Sequence, residues 1–307
     1  MCYGHGALLR RGALKAVGGF PEIVSEDIAL TLRLRRLGIG GLFTDRVICG
    51  EDYPDNYYTF RKRLSRWIPA DLECLWKELL PFLFVKSAPA VEKLDAFFRG
   101  MKVPLSVLFL PITLLLSAMP GIFPAWENSL RPPVLWIALA ASLSPFACFT
   151  ADMVDRPKNL AVLLSQITAL YCSCSLLILM RGIESLVFHK SRFYVTGAKR
   201  RPAESRRQLS GLFSIDEAGY PLLGFLELAI GLALILFGLR SENLVLAGIG
   251  AALGLAPVYY RLGWERCLPA VYLLFLLVIF GLALSGPLEY GLAAQILTLA
   301  GFSILLF

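Results

Sequence analysis

Apolar and polar positions divide the chain into a mixed first part and a long, mostly apolar remainder. Over residues 1–60 short apolar runs alternate with charged positions. Ala7–Leu9 is a brief apolar run, Arg11–Val17 reads as a helix closed by Gly18–Gly19, and a second helix is predicted from about Glu26 to Leu37. Ser25 suits the cap of that second helix and Glu26 and Asp27 its positive N-terminus. Arg33, Arg35 and Arg36 suit its C-terminus ahead of Gly38. Leu42–Cys49 predicts a strand, ending where Glu51, Asp52, Pro54, Asp55 and Asn56 make a turn-rich loop. Together these elements have α/β character.

From Tyr58 to Lys77 the pattern changes. Basic residues interleave with Leu64, Trp67, Ile68, Leu72, Leu75 and Trp76 at helical spacing, which predicts an amphipathic helix suited to the headgroup plane of a membrane. A second amphipathic stretch, Val91–Arg99, follows. Beyond it come seven apolar segments of about 17–22 residues, the length that crosses a bilayer core: Val103–Phe123, Pro133–Phe149, Leu160–Met180, Tyr220–Leu239, Leu244–Tyr260, Leu268–Leu284 and Gly291–Phe307. The polar interval Arg181–Gly219 splits them into three and four. If residues 1–100 are cytosolic and the first three segments all cross, this basic interval falls outside, against the positive-inside tendency. Leu160–Met180 is the segment expected not to span fully. It carries Ser165, Gln166, Thr168, Tyr171, Ser173 and Ser175, which a tilted, protein-buried or interfacial helix tolerates better than a lipid-facing one.

Composition supports this reading: 57% of residues are hydrophobic and only 17% charged, outside the usage of ordinary soluble domains. Residues 1–20 mix Arg10, Arg11 and Lys15 with glycines and lack a continuous apolar core, so no secretory signal is expected and the start reads as cytosolic. The net charge of +7 is concentrated at Arg61–Lys62–Arg63, Arg66, Lys199–Arg200–Arg201 and Arg206–Arg207. In a membrane protein such clusters face anionic headgroups, and no stacking platform or groove-reading helix points to nucleic acid. The seven cysteines are scattered. Cys172 and Cys174 point to different faces of a helix, and neither a disulfide framework nor a zinc site is implied.

Three short stretches carry candidate chemistry. Ser25-Glu26-Asp27 opens a helix, Arg63-Leu64-Ser65-Arg66-Trp67 lies on the amphipathic helix, and Phe193-Tyr194-Val195-Thr196 lies in the basic interval. Positions 63, 66 and 67 share one helix face, which offers two guanidiniums beside an indole. Each stretch also has a plain structural reading: acids complementing a helix dipole, an Arg/Trp pair anchoring a helix in headgroups, an interfacial loop.

Taken in order, with the lead-ins Gly4-His5-Gly6-Ala7-Leu8-Leu9-Arg10-Arg11 and Gly18-Gly19-Phe20-Pro21-Glu22, these stretches resemble the membrane-embedded family 2 glycosyltransferases, the group of cellulose, hyaluronan and chitin synthases. The resemblance covers residues 1 to about 200 and is closest over 4–67. It implies that Asp27, with Glu26, belongs to the acidic motif that supplies the catalytic base. It implies that Arg66 and Trp67 belong to the motif Gln-x-x-Arg-Trp, with Arg63 where Gln is usual, the Trp stacking under the acceptor sugar and the Arg facing the nucleotide diphosphate. Phe193, Val195 and Thr196 resemble a gating loop over the nucleotide, followed loosely by Lys199. His5 sits where similar enzymes approach the donor, although a backbone-satisfying role fits it equally.

The resemblance implies a hexosyltransferase with a nucleotide-sugar donor, a polysaccharide or glycolipid acceptor and the lipid bilayer as partners. It also implies Mg2+ or Mn2+ for the full-length enzyme. The Asp-x-Asp pair that would hold the metal is not in the sequence, and neither is the nucleotide-binding first half. A truncated chain, inactive alone, is therefore expected. The expected fold class is an α-helical polytopic membrane protein preceded by a partial α/β (GT-A-like) cytosolic segment. Its expected parts are the back of a transferase domain (1–57), interfacial amphipathic helices (58–101), a first group of membrane helices (102–181), a basic gating-like loop (182–219) and a second group of membrane helices (220–307). The expected location is the plasma membrane, multi-pass, with a cytosolic N-terminal region. The expected activity is inverting transfer to a growing β-linked polysaccharide, with coupling to export open. The alternatives are a nonprocessive glycolipid glycosyltransferase and a noncatalytic transporter or channel-like module.

Overall fold

The structure, a computed structural model, describes residues 6–42, 44, 46, 49–50, 54, 56–122, 170–188, 223–240 and 244–256. The chain divides into two compact units. One comprises Met1–Asp55, Thr59–Val107 and Ile178–Lys199, the other Asn56–Tyr58, Leu108–Leu177 and Arg200–Phe307. The helices are α1 (Arg11–Ala16), α2 (Glu26–Arg36), α3 (Tyr57–Cys74), α4 (Leu80–Leu83), α5 (Ala90–Ile122), α6 (Ser175–Phe188), α7 (Leu223–Arg240) and α8 (Leu244–Gly254), with a π-helical turn over Leu75–Leu79 between α3 and α4.

In the first unit the punctuation read from the sequence is where the helices stop. Gly18 and Gly19 take positive φ values of 82° and 95° after α1, a conformation open to glycine, and the Gly19 amide bonds back to the Leu14 carbonyl. Helix α2 buries Ala29, Leu30 and Leu32 and packs on the π-helical turn and α4. Leu64, Ile68, Leu72 and Leu75 are buried as well. The apolar stripe of the first amphipathic stretch thus faces protein, whereas Val91, Leu94 and Phe98 on α5 and Trp76 on the π-helical turn remain exposed. Helix α5 lies tight against that turn: a side chain at Gly100 would meet Leu79.

The main polar tie is Glu78, buried on the π-helical turn. Arg33 donates to its Oε1 from Nε (2.9 Å) and Nη2 (2.6 Å), and Arg36 lies 2.9 Å from its Oε2. Arg35 adds a second tie across to Glu92 on α5. The predicted strand Leu42–Cys49 is a correction. Its described residues 42, 44, 46 and 49 are not in a strand, and the Arg46 amide bonds instead to Thr44 Oγ1 at 3.2 Å. Among the described residues the expected α/β segment is therefore helical only.

In the second unit the polar residues of the 170–175 stretch are buried and bonded within protein. Ser173 and Ser175 donate to the Leu170 and Cys172 carbonyls, and Ser173 also shares a 2.9 Å hydrogen bond with Tyr57 Oη. Helix α7 is long and apolar enough to cross a membrane, with mean hydropathy 2.0, and is the one such helix among the described residues. It pairs with α8 through glycines. A Cβ on Gly231 would stand 2.7 Å from the Gly250 carbonyl oxygen and the Gly254 nitrogen.

Candidate functional site

The first turn of α2 is built around its acids. Ser25 stands at the N-cap but does not bond the helix amides with its side chain. Its hydroxyl donates instead to Asp71 Oδ1 on α3, at 2.7 Å. Asp27 takes over the local role: its Oδ1 accepts the Ile28 amide at 2.8 Å, one of the donors that a helix start leaves free. Asp27 is partly buried and Glu26 exposed. Burial raises the Asp27 carboxyl above its ordinary range, and the charge of Glu26 adds to this. The Ile28 amide and the positive charge of Arg66 act in the opposite direction without cancelling the rise. Arg66 is thus within electrostatic reach of Asp27, and the structure brings together these two residues that the sequence singled out.

Helix α3 presents the other wall. The Arg63 guanidinium lies over the Trp67 ring, 4.1 Å from its centroid, as expected for side chains at i and i+4. Arg63 therefore covers one face of the indole, and a sugar stacking on that face would have to displace it. One turn further on is Asp71, which sequence reasoning missed. Burial pushes its carboxyl up to about 6, against the Ser25 hydroxyl bond and the charge of Lys102, while the negative charge of Asp27 adds to the rise. The available signal was spacing: 63, 67 and 71 continue one face, and Asp71 is the first acid after the basic run. Cys74, buried among Asp71, Glu78, Asp27 and Glu73, is pushed up to about 12, which keeps it a thiol and a poor nucleophile.

His5, Phe193, Val195 and Thr196 lie outside the described residues. Among the described residues no three His, Cys, Asp or Glu side chains come together to hold a metal. Chemically, the site offers a carboxylate of raised proton affinity within electrostatic reach of a guanidinium: a group to take a proton and a group to face an anion.

No curated protein and no solved structure matches the chain. Residues 1–182 match the family described as Glycosyl transferase family group 2, and the match takes in Asp27, Arg66, Trp67 and Asp71. It spans more than half of the chain, which therefore belongs to the family 2 glycosyltransferases.

Proposed function

We propose that this glycosyltransferase works by inversion at the cytosolic face of the plasma membrane, lengthening a β-linked polysaccharide with sugar from a nucleotide-activated donor. An acceptor hydroxyl attacks the anomeric carbon and gives its proton to Asp27. The bond from that carbon to the diphosphate oxygen breaks, and the nucleoside diphosphate leaves with the bonding pair. Arg66 offers its guanidinium to the departing charge, Trp67 offers an apolar ring to the acceptor sugar, and Glu26 keeps the local potential negative. Phe193, Val195 and Thr196 would cover the nucleotide, with His5 beside the donor. Mg2+ or Mn2+ would neutralise the donor diphosphate.

The observation that carries this reading is the partly buried Asp27 at the first turn of α2 with Arg66 within electrostatic reach. The apolar helix α7 and the exposed Val91, Leu94 and Phe98 support the membrane setting. The test is to supply membranes containing the full-length enzyme that carries this sequence with a panel of radiolabelled nucleotide sugars and to size the product. A polymer is expected. Lipids bearing a single sugar would replace the processive reading with a glycolipid transferase, and incorporation no greater than in control membranes across the panel would contradict both.

A further inference from the structure

Asp71 is unused by that chemistry, yet it is tied to it. Its Oδ1 accepts the Ser25 hydroxyl at 2.7 Å across 46 residues of sequence, and Ser25 is the residue from which α2 and Asp27 start. Ser25 is itself buried. On α3, Asp71 is four residues beyond Trp67 and eight beyond Arg63, on the face where Arg63 and Trp67 stack. One short hydrogen bond thus joins the start of the helix carrying the acid to the helix carrying the guanidinium and the indole. We infer that Asp71 is a positioning residue of the transferase site, fixing Asp27 relative to the Arg66–Trp67 wall through the Ser25 hydroxyl and keeping the site negatively charged. This rests on the proposed function.

The charged and titratable surroundings are consistent with it. Asp27 acts on Asp71 from α2 and Lys102, with Arg99 beside it, from α5, while Glu26 and Arg66 act on Asp27; Glu73 on α3 and Glu78 on the π-helical turn reach Cys74, three residues beyond Asp71. Two carboxylates in one partly buried site do not lose their protons independently. A charge on one raises the proton affinity of the other, so the pair titrates in two steps. Asp71, pushed up to about 6, takes the first proton as the pH falls. That proton removes a negative charge near Asp27 and weakens it as a base.

The test is the pH dependence of kcat/KM for sugar transfer by the whole protein in membrane vesicles, for wild type, Asp71→Asn, Asp71→Glu and Ser25→Ala. Asp71→Asn keeps an oxygen for Ser25 but loses the charge. Its acid limb is expected to move to lower pH by about one unit, with a lower plateau. Asp71→Glu retains the charge and should retain the wild-type limb. Ser25→Ala loses the hydrogen bond and should lower kcat about tenfold while leaving the donor KM unchanged. An Asp71→Asn limb superimposable on wild type overturns the inference, whatever its plateau. If Asp71→Asn does not accumulate, Ser25→Ala decides, and an unchanged kcat overturns it. Transfer absent from the wild-type full-length enzyme contradicts the proposed function itself, and the inference falls with it.

Discussion

Asp27 and Asp71 illustrate how burial and charge set chemistry at single residues. Both carboxyls are raised, so the folded chain holds protons that the unfolded chain releases. For Asp71 the window runs from its ordinary 3.8 to about 6. Stability from this group is full below the lower value and is lost as the pH rises through the upper one, a span of up to about 3 kcal/mol. Asp71→Asn should therefore melt at the wild-type temperature near the bottom of the window and above it at neutral pH. Melting curves in detergent across this range check the sign, and a larger gain at the acidic end would contradict it. Asp27 was legible as an acid in a helix's first turn, and Arg66 and Trp67 as neighbours on a helical face. Asp71 was not, because its partner Ser25 lies far away in sequence and itself reads as an ordinary N-cap.

Among the elements, helices were legible and their use was only partly so. The limits of α1 and α2 follow from glycines and end charges, which act within one turn. The π-helical turn depends on distant partners, as a strand at Leu42–Cys49 would. Glu78 shows the difference: its place in a helix is local information, but its burial under Arg33 and Arg36 is not. Glu78→Gln should lower stability by about 2 kcal/mol, less than for a fully buried pair because both arginines keep some contact with water. Melting in detergent measures it, and an unchanged midpoint would remove Glu78 as the tie between α2 and the π-helical turn. In the α7–α8 pair, Gly231→Ala should lower the melting temperature because its new Cβ would press on the backbone of α8. Gly248→Ala, where nothing lies within 4 Å, should not. Equal effects would mean that helix propensity, and not close packing, decides.

For the whole molecule, family membership comes from residues 1–182, while the proposed bilayer setting rests on the apolar majority of the sequence and on helix α7. The protein should stay with membranes through alkaline carbonate washing and come out only with detergent, as monitored by blotting the fractions. Release by carbonate would limit it to surface attachment. Val91, Leu94 and Phe98 are exposed, as the proposed headgroup setting requires, whereas the apolar stripe of α3 is taken up by the protein interior, a distinction that periodicity alone does not make. The most direct test of Asp27 as the group that accepts the acceptor's proton is radiolabelled sugar incorporation by membranes carrying the full-length enzyme, wild type or Asp27→Asn, at matched abundance. Asn keeps the size and the Ile28 bond but cannot act as the base, so incorporation should fall by about 10²- to 10⁴-fold. Incorporation within about twofold of wild type would contradict that role.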